Sequence, residues 1–270
     1  MNTKSLLLAL PVASLMILMV PLQAAPEQNP TPSASEQRAM TILKNMSEYL
    51  AQAERFSVTT RDGYDAVQKS GQKIEFGELR KIIVSRPDHL RIEGERSDGQ
   101  KNLTIFDGKD ITIYTAKDNV YATVSSPGSL DEAVKYAVDH LKIRLPLAVM
   151  LLSTFPSELS SLVVSADYVE TATLMDVPCD HVAARTNHGV DFQVWVAQGN
   201  QPLVRRVVIT YSSEPGQPQF SADFSNWNLA PDISESLFVF SPPAGADRIQ
   251  FLTEVSNAAV TAISEKGNNK

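Results

Sequence analysis

The chain carries one cysteine, Cys179, among 270 residues, so no intramolecular disulfide can form, although an oxidising compartment would permit one. Without such staples the fold must rest on its core, and 43% hydrophobic residues supply enough for one large domain. Positive charge is also scarce. Lys and Arg number 24 against 31 Asp and Glu, a formal net charge of −7 that becomes −8 if Lys4 is removed, and no basic block offsets it. That balance argues against nucleic acid as a partner and against general adhesion to anionic lipid surfaces. The acidic residues are scattered, as on a solvated surface. Familiar catalytic motifs are missing too: there is no Gly-x-Ser-x-Gly elbow, no Gly-x-Gly-x-x-Gly and no Walker loop. No internal repeat is found.

What is present begins with a short basic region, Met1 to Lys4, followed by the uncharged stretch Leu6 to Val20. Fifteen residues interrupted by Pro11 fall short of the about 20 that a bilayer span needs. Pro21-Leu22-Gln23-Ala24-Ala25 then offers small residues for cleavage, placed after Ala24. Residues 1–24 therefore read as a signal peptide and the remainder as exported. The alternative, an uncleaved anchor, is disfavoured by the length. No Cys follows the apolar stretch to accept a lipid, so no stable membrane anchor is expected after cleavage.

Residues 25–34 are Pro-rich and polar, a flexible linker. Ser35 suits a helix N-cap, and Ala39, Ile42, Leu43, Met46, Tyr49, Leu50 and Ala53 recur at helical spacing to about Glu54. From Phe56 the period becomes two, predicting strands at 56–67, 73–85, 90–95, 103–106, 110–115 and 120–124. Asp98-Gly99, Asp107-Gly108 and Asp118-Asn119 supply turns between them, the pattern of an antiparallel sheet with one dry and one wet face. Ser129 caps a second helix, Leu130 to about Leu141. The greasy run Leu147 to Leu152 follows, either a buried helix or a cavity lining, closed by Phe155-Pro156. Strands resume at 163–174, 179–186, 192–197, 203–211 and 220–228, with a short one at 238–240. A C-terminal helix is expected from Ala246 to Ile263, the tail then fraying. Roughly eleven strands exceed what a flat sheet usually holds, so curling is expected.

These residues carry a resemblance. The order from the first helix through Phe56, Arg86-Pro87-Asp88, Leu90-Arg91, Phe106-Asp107-Gly108-Lys109, Tyr114 and Asn119-Val120-Tyr121 resembles periplasmic lipoprotein carriers of the LolA type. More closely, residues 37–251 are similar to an uncharacterised family of predicted periplasmic proteins, domain of unknown function 2092. Gly128 to Ala133, Leu145 to Ala148, Val177 to His181, Val208 to Tyr211 and Trp227 to Pro231 carry that similarity. The resemblance implies a periplasmic location, a half barrel closed by helices around an apolar cavity, and a habit of binding apolar groups. The carriers' cavity arginine is given no counterpart, and no binding residue is transferred.

The sharpest local cluster is Cys179-Asp180-His181, where a strand would point Cys179 and His181 to one face. His188 is near, but no second Cys exists and no zinc spacing fits, so a packed thiol beside a satisfied histidine is the simpler reading. The pairs Asp62/Asp65, Glu75/Glu78 and Asp107/Asp110 read as turn or wet-face carboxylates. Phe192, Trp195, Tyr211, Phe220, Phe224 and Trp227 lie on consecutive strands, and the strand holding Trp195 is apolar on both faces: either a doubly packed core strand or a pocket wall.

The expected fold is α+β: a strongly curled antiparallel half barrel over residues 35–246, its helices covering the concave face. The expected function is non-enzymatic binding of an apolar small molecule or lipid, with Leu147, Val149, Met150, Leu151, Trp195 and Trp227 as lining and no cofactor or metal. The alternatives are a module that binds another envelope protein or senses through it, and a Cys179/His181-dependent enzyme.

Overall fold

The computed structural model describes residues 32–126, 128–143 and 145–251. The expected signal peptide, most of the expected linker and most of the expected C-terminal helix lie outside them. Among the described residues no helix is long and apolar enough to cross a membrane.

The first helix, α1 (Ala34–Ala51), is capped by Ser33, whose side chain accepts the Glu36 amide at 3.1 Å. The cap is thus two residues earlier than expected. Ser35 serves elsewhere: its Oγ accepts the Tyr168 amide at 3.0 Å, tying the helix to a distant strand. Ala39, Leu43, Met46 and Leu50, at the spacing of one helix face, are buried against the sheet.

Six strands follow as a meander: β1 (Arg55–Val67), β2 (Lys73–Ser85), β3 (His89–Arg96), β4 (Lys101–Phe106), β5 (Asp110–Thr115) and β6 (Val120–Ser125). Five more form a second meander: β7 (Val163–Leu174), β8 (Val177–Thr186), β9 (Asp191–Ala197), β10 (Val204–Thr210) and β11 (Gln219–Asn228). The runs join where β1 pairs with β11, Thr60 opposite Phe224 and Tyr64 opposite Phe220, giving one open sheet that curls into a half barrel. The turn aspartates act structurally. Asp107 Oδ1 accepts the amides of Lys109 and Asp110 at 3.0 and 2.8 Å, and Gly108 takes φ 83°, where a Cβ would also meet Asp88.

Between the runs lie α2 (Leu130–Asp139), a 3₁₀ turn at Ala148–Leu151, and α3 (Phe155–Leu162). Ser129 and Glu132 form a complete capping box at α2. The greasy run is therefore a single tight turn, not a helix. Phe155-Pro156 opens α3 rather than closing the run, because proline at the start of a helix loses no hydrogen bond.

Two expectations near the C-terminus fail. Phe238–Phe240 is no strand. Glu235–Phe238 forms a 3₁₀ turn, and Phe240 packs on Tyr114 and Tyr121 at centroid distances of 6.0 and 5.2 Å. The neighbouring sheet edge is taken instead by β12 (Asp247–Arg248), two residues parallel to β6, with the Asp247 and Ile249 amides bonded to the carbonyls of Asn119 and Tyr121. The C-terminal helix thus does not begin at Ala246.

Candidate functional site

Two hollows open on the concave face, on either side of a strap formed by residues 145–151. The larger, about 360 Å³, lies under β1, β2, β3, β4, β5 and β11. Phe56, Val58, Ile82, Ile92, Ile113, Phe220 and Phe224 form its sheet wall, and Leu147, Met150 and Leu151 its strap wall. The smaller, about 250 Å³, is bounded by Met46 of α1, Phe155 and Leu159 of α3, and Val194, Val204, Val207 and Ile209 of β9 and β10. Pro146, Leu147 and Met150 face both. Strand alternation builds these walls, since every second residue of a half-barrel strand faces inward.

Of the residues singled out from sequence, Leu147 and Met150 line both hollows, Leu151 and Trp227 the larger, and Val149 the smaller. Trp227 donates its indole N–H to the Val204 carbonyl at 2.9 Å and stacks on Phe224 at 5.9 Å, leaving apolar surface toward the cavity. Trp195 lines neither. Because Phe192 and Val194 take the smaller hollow's wall, alternation turns Trp195 to the opposite face, where it stacks on His181 at 4.0 Å.

The larger hollow has one polar end, built from carboxylates that the sequence alone places at turns or on a wet face. Asp62 shares the phase of Phe56, Val58 and Thr60, is only 4% exposed, and stands directly opposite Glu78 on β2. Arg80 bonds both carboxylates, reaching Glu78 at 2.5 Å, and Asn102 Nδ2 donates to Glu78 at 2.8 Å. Burial pushes the Asp62 carboxyl pKa up. Arg80 and, less strongly, the adjacent Thr60 hydroxyl pull it down, while Glu78 adds to the rise. Thr60 Oγ1 and Asp62 Oδ1 remain buried without a hydrogen bond of good geometry. The alternation starting at Phe56 was the signal that could have placed Asp62 inside. Asp65, by contrast, accepts the Gln219 amide at 2.9 Å and pairs with Lys73.

Arg86, at the end of β2, anchors the strap. Its Nε donates to the Ala53 carbonyl at 3.1 Å and its Nη1 to the Leu151 carbonyl at 2.6 Å, with Asp131 3.9 Å away. Burial lowers its pKa and Asp131 opposes that change. One guanidinium thus ties the end of α1, the strap and α2 to the sheet.

Cys179 and His181 each engage a different partner. Cys179 is fully buried and its Sγ donates to the Val177 carbonyl at 3.3 Å, while His181 Nε2 meets Gln193 at 3.1 Å. Burial is the main cause that raises the Cys179 pKa, away from the reactive thiolate. Among the described residues no group of three or more His, Cys, Asp or Glu could hold a metal ion.

A family model described as predicted periplasmic protein (DUF2092) matches residues 39–252. Curated proteins give no match. Among solved structures, the chain is similar to an uncharacterized conserved protein from Thermus thermophilus, at 11% identity over 79% of this chain and 99% of that one, TM-score 0.47. It is similar to LprF from Mycobacterium bovis at 13% identity over 79% of this chain and 100% of that one, TM-score 0.47. It is also similar to the LolA superfamily protein NE2245 from Nitrosomonas europaea, at 11% identity over 75% and 97% of the two chains, TM-score 0.39.

Proposed function

The chain belongs to the DUF2092 family of predicted periplasmic proteins, and on that premise we propose that it is an exported, non-enzymatic binder of an apolar ligand, an acyl chain or the lipid part of a lipoprotein. The observation that carries this reading is the pair of apolar hollows on the concave face, separated only by the 145–151 strap. Concave sites of this size with apolar walls are the usual form of small-molecule pockets. Leu147, Val149, Met150, Leu151 and Trp227 are the lining residues proposed to meet the ligand. Export through the signal peptide fits the family description and predicts that the secreted protein begins at Ala25 on N-terminal sequencing.

Protein purified from the cell envelope, extracted with organic solvent and examined by mass spectrometry, should release an acyl compound near one equivalent. Protein that carries no lipid and displaces no fluorescent apolar probe would overturn the reading. The absence of catalysis has its own test: iodoacetamide should label Cys179 only after denaturation, and fast labelling of the native protein would favour a thiol enzyme.

A second reading, a module that binds another envelope protein, is supported by the tip of the β1–β2 hairpin. There Tyr64, Ile74 and Phe76 are exposed, and the two rings stack at 5.8 Å. A pull-down that retains one stoichiometric protein partner, from material that yields no lipid, would favour it.

A further inference from the structure

We infer that the Asp62 end of the larger hollow selects the ligand's polar head, accepting uncharged or cationic hydrogen-bond donors and excluding anions. The inference rests on the apolar-ligand reading above and names the class of ligand within it.

Among the described residues three charged side chains line the hollow, Asp62, Glu78 and Arg80, which together carry one net negative charge when all are ionised. The guanidinium cannot serve an incoming anion freely, because both carboxylates already engage it and Asn102 braces Glu78 from the next strand but one. What remains unused is acceptor capacity. Thr60 Oγ1 and Asp62 Oδ1 are buried on this wall without a hydrogen bond of good geometry; the Thr60 hydroxyl acts on Asp62 as a donor, so lone pairs on both are what a donating head would engage once small side-chain shifts expose them. An anionic head would instead add like charge beside two carboxylates in a poorly solvated place.

The geometry also sets the ligand's direction. Inward-facing residues of β1 run Phe56, Val58, Thr60, Asp62 and Tyr64, from apolar through polar to the exposed aromatic tip. A chain lying over Phe56 and Val58 beneath Leu147 and Met150 therefore brings its head to Asp62. The class is a long-chain alcohol, amide or amine rather than a free fatty acid.

Four twelve-carbon probes decide the matter by competition against a fluorescent apolar dye: dodecanol, dodecyl methyl ether, dodecylamine and laurate. Dodecanol should bind more tightly than the ether, which cannot donate, and laurate should bind at least about tenfold more weakly than dodecanol. Asp62→Asn should narrow the gap between laurate and dodecanol. Glu95→Gln, which removes one exposed carboxylate and so changes the net charge equally, should leave it intact. Laurate binding as well as dodecanol to the unaltered protein would overturn the head selection while leaving the apolar-ligand reading standing. If no probe competes, both fall. Should Asp62→Asn fail to fold, the ranking on the unaltered protein decides alone.

Discussion

The two hollows share the strap but differ in their walls: the larger ends in an ionic cluster, whereas the smaller has no Asp, Glu, Lys or Arg among its described lining residues. The same alternation builds both, so the difference lies in single positions. Thr60 and Asp62 occupy the inward phase of β1, where Val204 and Val207 line the smaller hollow from β10. A dry wall contributes burial without direction, since the hydrophobic effect is not directional. An ionic group at one end costs desolvation, but it can orient what binds.

The largest test of this contrast is to place a carboxylate in the dry hollow. Val207→Asp leaves an uncompensated buried charge and should cost about 3–5 kcal/mol in denaturant unfolding, or prevent folding. Next is the anchor common to both hollows. Arg86→Ala leaves the carbonyls of Ala53 and Leu151 without their donor and should cost about 2–4 kcal/mol, with increased uptake of apolar dye as the strap loosens.

A smaller loss, about 1–2 kcal/mol because Arg80 is 30% exposed, is expected for Arg80→Met. This variant also has a pH signature. Arg80 opposes the burial that raises the Asp62 pKa, so its removal raises that pKa further. Stability tied to a raised carboxyl is complete below the ordinary value of 3.8 and is lost as pH rises through the folded value, so the variant's deficit should grow between acid and neutral pH. A deficit constant with pH would mean that Asp62 is not electrostatically coupled to Arg80.

The least effect is expected outside both hollows. Glu132 has its pKa lowered by hydrogen bonds from the Ser129 backbone and side chain. Its contribution is present above the ordinary value of 4.5 and is lost as pH falls through the folded value, so Glu132→Ala should lower the melting temperature slightly at neutral pH and not at strongly acidic pH.

Much of this was legible in the chain. The β3–β6 ladder follows from alternation and from aspartates that cap their own turns, both local signals. The strap and the membership of Leu147 and Met150 in a cavity wall were legible only as an unusually apolar run. Arg86 was not recognised because its function depends on the Leu151 carbonyl, 65 residues away in sequence. Asp62 defies the wet face that its charge implies, because phase along the strand and not side-chain chemistry decides which way it points. Phe238 and Phe240 are apolar residues that pack on the sheet's side chains without joining it as a strand, a distinction that composition does not make.

The seam between β1 and β11 bears on the order of events during synthesis. Residues 55–67 wait for residues 219–228 before β1 gains its second neighbour, so the middle of the sheet is built from its most distant parts in sequence. Contacts of such long range close slowly. Phe220, Phe224 and Trp227 arrive with β11, and the larger hollow therefore acquires its final wall only when nearly all of the described chain has been made.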